Sequence, residues 1–165
     1  MCNICTYLPQ KSCQLINSWI SEINVDVKLS KPRKTKLGDF KVINNKCYIT
    51  INNNLNKYSF LITLTHELAH AFVFRKHQNN VKPHGHEWKQ TFKLMMLNFL
   101  TPNHFPNDIL KSLSKYLINP TYSSFSDIEL VKTLRNYDNK KTLILADIQE
   151  KSIFKTLHKH NKLYV

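Results

Sequence analysis

The feature that most constrains this chain is the segment His66-Glu67-Leu68-Ala69-His70, an H-E-x-x-H motif inside a long apolar stretch. Because an α-helix completes a turn in 3.6 residues, His66 and His70 would lie one above the other on the same helical face. Two imidazoles placed in this way can bind one Zn²⁺ ion, and Glu67 can accept a proton from a metal-bound water molecule. The motif therefore predicts a helix and a metal-dependent hydrolytic site.

The residues around the motif predict a helix from Tyr58 to Phe74. Apolar residues recur there at helical spacing and form a stripe, and the two histidines project away from it. We expect the stripe to pack on a core while the histidines face a cleft; the alternative is a helix with two surface histidines. The stripe consists of Phe60, Leu61, Leu64, Leu68, Ala71 and Phe72.

A catalytic zinc ion needs a third protein ligand and keeps one coordination position open. The metzincin extension of the motif would place glycine at position 73 and histidine at position 76. Val73 and Lys76 occupy those positions, so the metzincin class is excluded.

A second histidine cluster follows in the sequence PHGHEW at residues 83–88. One of the two glycines of the chain separates its histidines, and glycine permits a turn that other residues resist. We predict His84 as the third ligand. His86, Glu87 and His77 are the alternatives, and Glu87 would complete a site of two histidines and one glutamate.

The segment HELAH followed by PHGHEWKQTF resembles the SprT-like zinc metallopeptidases, whose pattern is HExxH, a short spacer and H-G-x-E-aromatic. The stretches PRKTKLGDF, ITINNNLNKYSFLITLTHELAH and VKPHGHEWKQTFKLMM are similar to a compact bacterial branch of that family. The resemblance covers about residues 25–140. It implies that His66, His70 and His84 hold one zinc ion and that Glu67 is the catalytic glutamate.

The resemblance also implies an α+β fold of zincin-like type, with a small antiparallel sheet packed against the HExxH helix and further helices. In such folds an exposed edge strand above this helix holds extended substrate through its unpaired backbone groups. We predict that this edge is a strand within residues 47–53. The alternative is an ordinary strand that is paired on both sides.

Hydrophobic periodicity predicts the remaining elements. Gly38-Asp39 is predicted as a turn or bulge before a strand, and Asn44-Asn45 as a tight turn. Strands are predicted at 25–30, 40–43, 47–53, 142–145 and 152–157, with a short final strand. Further helices are predicted at 9–23, 87–100, from 106 to before 120, and from a capping box at 126 to about 137.

The length of 165 residues and the hydrophobic content of 42% suit one domain over residues 1–165. Its core would span about residues 9–140, followed by short strands and a basic tail at 141–165. No apolar run is long enough for a membrane span, and the start MCNICTYLPQ lacks a secretory apolar region. We therefore expect a cytoplasmic protein without membrane contact.

The chain carries 24 basic and 11 acidic residues, a formal charge of +13. This balance favours polyanionic partners and makes DNA a candidate partner through a basic surface. The segment Lys31–Lys36 contributes four of the positive charges. It is either a solvated loop or a patch that contacts phosphates near the cleft.

Four cysteines occur, at positions 2, 5, 13 and 47, and in a reducing cytosol we expect them to be thiols. Cys2 and Cys5 form a C-x-x-C pair, which can be half of a zinc knuckle or a redox pair. No cysteine follows Cys47, so we expect the C-terminal zinc ribbon of many relatives to be absent.

Together these features predict a zinc metallopeptidase that hydrolyses peptide bonds in proteins or peptides with an activated water molecule. DNA-associated proteins are a candidate substrate class, as the resemblance implies. The alternative is a zinc-containing nucleic-acid-binding or regulatory module without proteolytic turnover. An intact HExxH motif argues against that alternative, because a purely structural zinc site uses four protein ligands and needs no glutamate base.

Overall fold

The computed structural model describes residues 4–121 and 127–139, and the backbone of residues 154–155 and 163–164. The fold of this part is α+β, with two short 3₁₀ turns at Ile4–Tyr7 and Gln10–Ser12. Its helices are α1 (Cys13–Ile23), α2 (Lys57–His77), α3 (His86–Leu97), α4 (Asn107–Ile118) and α5 (Ile128–Arg135). Its strands are β1 (Asp26–Ser30), β2 (Gly38–Ile43), β3 (Lys46–Asn52), β4 (Phe154–Lys155) and β5 (Leu163–Tyr164).

The main sheet has the strand order β1-β3-β2. A hairpin joins β2 to β3 in antiparallel register, and β1 pairs in parallel with the other edge of β3. The predicted antiparallel sheet is therefore wrong in this respect, since the sheet is mixed. Alternating hydrophobicity reports which face of a strand is buried but carries no information on strand direction.

The edge strand beside α2 is β2, whereas β3 lies in the centre of the sheet. The prediction that the edge lies within residues 47–53 is therefore wrong, and the strand there is paired on both sides. Ile49 and Ile51 of β3 are fully buried, as a central strand requires. The predicted tight turn between β2 and β3 is confirmed, because Asn44 and Asn45 adopt φ angles of 48° and 60°.

Helix α2 is the centre of the core and extends beyond the predicted range of 58–74 at both ends. The predicted apolar stripe is buried except for Phe72, which is partly exposed. The burial is wider than the stripe, since Ile62, Thr65 and Ala69 are also fully buried. The sheet and α1 cover part of the helix and α3 covers another part. Between Ser59 and Phe74, partial exposure remains at Phe72 and along the open strip formed by His66 and His70. None of the helices in the described ranges is long and apolar enough to cross a membrane.

The other helices follow the predicted pattern with shifted ends. Apolar spacing predicts an inward face for α4, and all of its residues are buried except Leu110, which is partly buried. The face consists of Ile109, Leu110, Leu113, Tyr116 and Leu117. Helix α5 is capped by Asp127, whose side chain accepts a hydrogen bond from the Leu130 N–H at 2.9 Å. The cap predicted at residue 126 and the strand predicted at 142–145 lie outside the described residues.

Cys5 and Cys13 are joined by a disulfide, with their Cα atoms 5.3 Å apart. The expectation that these two cysteines are thiols is therefore wrong. The 3₁₀ turns at the start of the chain bring Cys5 back to the first turn of α1, a proximity that sequence spacing does not reveal. Cys47 is a buried free thiol in β3, and Cys2 lies outside the described residues.

Asn56 anchors the start of α2 and connects it to α5. Its side-chain oxygen accepts hydrogen bonds from the N–H groups of Tyr58 and Ser59 at 3.1 and 2.9 Å. Its amide nitrogen donates to the Leu134 carbonyl at 3.0 Å and to the Asp138 carboxylate. One side chain thus fixes both a helix N-terminus and a tertiary contact.

We expect Asn56→Ala to lower the free energy of unfolding by about 2 kcal/mol, because a helix cap and partly buried tertiary hydrogen bonds are lost together. Urea denaturation followed by circular dichroism measures the change. Asn54→Ala is the matched control, since Asn54 is exposed. Equal destabilisation by the two substitutions would contradict the anchoring role.

Candidate metal centre

Three histidine side chains converge at the open strip of α2. The Nε2 atoms of His66 and His70 are 3.3 Å apart, and the Nε2 atom of His84 lies 3.3 Å from the first and 2.9 Å from the second. Among the histidine, cysteine, aspartate and glutamate side chains of the described ranges, these three histidines lie close enough together to bind one metal ion. The predicted alternatives His77, His86 and Glu87 are not part of it.

The loop between α2 and α3 brings His84 back over α2. Helix α2 ends at His77 and is followed by Gln78, which adopts a φ of 53°. In the turn that comes next, the Gly85 N–H donates to the Lys82 carbonyl at 2.9 Å. A Cβ atom on Gly85 would lie 3.1 Å from that carbonyl oxygen. The glycine therefore permits a tight turn directly before α3.

Trp88 forms an aromatic wall against all three histidines. It is fully buried, and its ring centroid lies 4.5 Å from that of His66, 4.8 Å from that of His84 and 5.3 Å from that of His70. Its indole N–H also donates to the His66 carbonyl at 3.4 Å. The spacing of apolar residues assigned Trp88 no role at the histidine cluster. The aromatic position of the H-G-x-E-aromatic pattern was the signal that could have indicated this role.

Burial and mutual repulsion keep these histidines neutral. Burial, followed by the neighbouring histidines, lowers the pKa of His66 to about 2 and that of His70 to about 3. Burial also lowers the pKa of His84. A neutral imidazole presents the lone pair that a metal ion requires, so the ligand atoms are in the binding form at neutral pH.

The spacing of the three nitrogen atoms agrees with metal coordination. Zinc–nitrogen bonds of 2.0–2.1 Å in a tetrahedral arrangement separate the ligand atoms by about 3.3 Å. Two of the observed separations are 3.3 Å and the third is 2.9 Å. The cluster can therefore bind a metal ion, and three imidazole ligands are consistent with zinc.

Glu67 packs against the backbone of the edge strand at Gly38. A Cβ atom at position 38 would lie 2.5 Å from the Glu67 Oε1 atom and 2.8 Å from the Thr63 methyl group. Gly38 is the first residue of β2 and pairs in regular register with Ile51 of β3, so the turn or bulge predicted for Gly38-Asp39 is wrong. Glycine is needed here because the carboxylate approaches the strand too closely for any side chain.

The environment of Glu67 makes its carboxyl group hold a proton at neutral pH in the metal-free protein. Burial, followed by the negative charge of Asp39, raises its pKa to about 8, although Arg33 and Lys36 act in the opposite direction. A carboxyl group in such surroundings can accept and release a proton near neutral pH. Glu67 is therefore suited chemically to proton transfer in the cleft.

Arg33 has a structural position within the basic loop at 31–37. Its guanidinium donates to the Asn52 side chain at 2.8 Å and to the Thr50 hydroxyl at 3.0 Å. The Asn52 amide in turn donates to the carbonyls of Arg33 and Lys36 at 3.2 and 3.1 Å. One of the four charges predicted as a solvated or phosphate-binding patch is thus directed into the sheet, while Lys31, Lys34 and Lys36 are exposed.

The histidines and Glu67 open into a cleft of about 920 Å³ between α2, β2 and the loop before α3. Phe40 of β2 stacks on His70 with a centroid distance of 6.2 Å and an interplanar angle of 10°. The edge strand therefore runs along the metal centre and forms one wall of the cleft.

A family model described as the SprT-like family matches residues 9–109 of this chain. The matched segment includes the three histidines, Glu67 and the strand that lines the cleft. Neither the curated proteins nor the solved structures provide a match.

Binding of Zn²⁺ should depend on His84 and not on its neighbour His86. Removing one of three imidazole ligands should weaken zinc binding by about a hundredfold or more, and it should abolish most of the stabilisation that excess zinc provides. Competition with a fluorescent chelator gives the affinity, and thermal denaturation with and without zinc gives the stabilisation. His86→Ala is the control, and a loss of affinity there equal to that of His84→Ala would refute the assignment.

The stability of the metal-free protein should fall by about 1 kcal/mol between pH 7 and pH 8. The folded-state pKa of Glu67 is raised from 4.5 to about 8, so in this window the folded protein holds a proton that the unfolded chain has lost. This stabilisation is complete below the unfolded-state pKa and disappears as the pH rises through the folded-state value. Urea titrations of the parent and of Glu67→Gln measure it, and parallel profiles for the two proteins would refute the shift.

Proposed function

The chain belongs to the SprT-like family, and from this we propose that it is a zinc-dependent endopeptidase that hydrolyses peptide bonds with an activated water molecule. The observation that carries the proposal is the convergence of three imidazole nitrogens beside a buried glutamate in an open cleft. A structural zinc site is ordinarily closed by four protein ligands, whereas a catalytic site keeps a position for water or substrate.

In this proposal His66, His70 and His84 are the zinc ligands. When bound, zinc supplies a Lewis acid and lowers the pKa of water toward about 7. The packing of Trp88 against the three rings fixes their orientation before any ion arrives. The neutral state of the buried rings avoids competition between protons and the ion near neutral pH.

Glu67 is the proton-transfer group in this mechanism. It would accept a proton from the attacking water and pass it to the departing amine. Its contact with Gly38 restricts the side chain to the floor of the cleft, and its burial raises the pKa of the carboxyl toward the working pH. A positive ion nearby would favour the ionised form, which is the form that accepts a proton.

The edge strand β2 would hold the substrate. In the described part of the chain it pairs with β3 on one side, and its other side lines the cleft. An extended peptide can add to such an edge through backbone hydrogen bonds, which require no particular side chains. This assignment transfers the zincin-like substrate strand from residues 47–53 to residues 38–43.

A nucleic-acid-binding or regulatory zinc module without turnover is the second candidate. The exposed lysines of the loop at 31–37 favour it, because phosphate groups attract such a surface. A binding module has no use for a buried glutamate beside a three-ligand centre, so we prefer the peptidase. In a peptidase that acts on DNA-associated proteins, the exposed lysines would bind the DNA and the histidine–glutamate site would cleave the protein.

Glu67→Gln should retain zinc and lose cleavage by several orders of magnitude, because the amide preserves shape but accepts no proton. Casein digestion, assayed with and without duplex DNA, measures activity, and metal analysis measures zinc. Glu22→Gln is the control for the loss of one exposed glutamate. Cleavage by Glu67→Gln at the parental rate would exclude Glu67 as the base, and no cleavage by the parent under any condition would favour the binding module.

A further inference from the structure

We propose that the two ends of the cleft select different substrate side chains, an acidic one beside Lys34 and Lys36 and an apolar one beside Val42, Phe74 and Val81. This inference rests on the proposed peptidase function, since it assigns the substrate preference of the same site. The metal centre lies between the two ends, so the two side chains would lie on opposite sides of the scissile bond.

Contacts between β2 and α2 give the order of groups along the cleft. Gly38 lies beside Thr63 and Glu67, and Phe40 lies beside His70 and Phe74. The strand and the helix therefore advance in the same direction along the cleft. The lysine loop precedes Gly38 at one end, and Val42 follows Phe40 at the other.

The lysine end carries more positive than negative charge. Lys34 and Lys36 line the cleft there, and Asp39, directly after Gly38, is the acidic residue beside them. Asp39 contacts Lys36 at 2.7 Å and Lys41 at 3.4 Å, so these two lysines share one carboxylate. No ion pair to Lys34 exists within the ranges that the structure describes, which leaves this exposed ammonium available to a substrate carboxylate.

A second observation at the same end is the hydroxyl group of Thr63. The residue lines the cleft, is 5% exposed, and its oxygen has no hydrogen-bond partner among the residues described. Buried hydroxyl groups are rarely left unpaired, because the lost hydrogen bond costs about 1–3 kcal/mol in mutational data. The oxygen itself is buried, so a polar group of the substrate would satisfy it once the Thr63 side chain turns toward the cleft.

Apolar side chains gather at the opposite end, where Lys41, Gln78 and Asn79 also line the cleft. Val73 and Phe74 of α2 meet Val42 of the strand and Val81 of the loop around the cleft, and Val42 and Val81 are only partly buried. This apolar region and the three histidines line the same cleft. We therefore infer that a substrate side chain next to the scissile bond occupies the apolar region. Aliphatic or aromatic side chains would bury apolar area there.

A peptide fits this combination better than a nucleic acid. The sugar-phosphate backbone offers repeated negative charge, which suits the lysine end but not the apolar end. From residue 38 to residue 42 a strand advances about 14 Å, the length of about four residues of an extended substrate. A peptide with an acidic and an apolar residue about four positions apart matches both ends.

Cleavage-site profiling with a pool of proteome-derived peptides tests the preference. The zinc-loaded parent should show apolar residues enriched on one side of the cut and Asp or Glu on the other. Lys34→Gln should reduce the acidic enrichment about threefold, since exposed ion pairs are weak, and high salt should have the same effect. Val81→Thr should reduce the apolar enrichment and leave the acidic one. Lys31→Gln is the matched control, because it removes the same charge from the same loop outside the cleft lining.

Binding gives a readout that does not depend on turnover. The probes are fluorescein-labelled alanine-based octapeptides carrying Leu and Glu four positions apart, in both orders, each with a Glu-to-Gln counterpart. The protein used is zinc-loaded Glu67→Gln. Of the two peptide orders, the one that binds more tightly should bind about threefold more weakly when the Glu of the peptide is replaced by Gln. This difference between the Glu and Gln peptides should disappear in the double variant Glu67→Gln, Lys34→Gln. It should persist in the double variant Glu67→Gln, Lys31→Gln.

The outcomes separate this inference from the proposed function. Binding preference without any cleavage by the parent would support the cleft assignment and overturn the peptidase. Cleavage with equal use of Glu and Gln peptides would overturn the cleft assignment alone. Equal effects of Lys34→Gln and Lys31→Gln would also overturn it. The cleft assignment would also be overturned if Lys34→Gln weakened binding to duplex DNA without changing the peptide preference, because Lys34 would then bind nucleic acid and not the peptide.

Discussion

The packing of α2 between the sheet and α3 is the constraint on which the rest of this structure depends. Most of the helix surface is buried, so its rotation about its own axis is fixed by the core. This leaves the strip with His66 and His70 as the part that faces the cleft. Trp88, delivered by α3, packs on both rings and on His84. The helices α2 and α3 that close the core therefore also shape the candidate metal centre, so a change in their packing would alter both.

The contact between Glu67 and Gly38 links that centre to the wall of the cleft. The carboxylate is buried by the approach of the strand, and this burial is the main reason that its pKa is raised. The position of the strand depends in turn on the loop before it, which Arg33 and Asn52 tie to β3 through reciprocal hydrogen bonds. The proposed base and the proposed substrate strand thus share one support.

Positive charge in this protein has more than one use. The Arg33 guanidinium donates hydrogen bonds to Asn52 and Thr50 of the sheet, and Lys36 and Lys41 share the carboxylate of Asp39. A formal charge of +13 therefore overstates what a partner would meet at the cleft. The charge that remains there lies beside apolar side chains, and the proposed preference for a peptide with mixed side chains rests on this arrangement.

The sequence by itself determined the HExxH helix, the tight turn at Asn44-Asn45, most of the buried face of α4 and the family, because local periodicity and motif spacing encode these features. Only the tertiary structure decided which strand forms the edge, that the sheet is mixed and that Cys5 pairs with Cys13. It also decided that His84, rather than His77, His86 or Glu87, lies with the first two histidines. Such features arise from contacts between distant segments, and hydrophobic pattern reports the burial of a residue but not its partner.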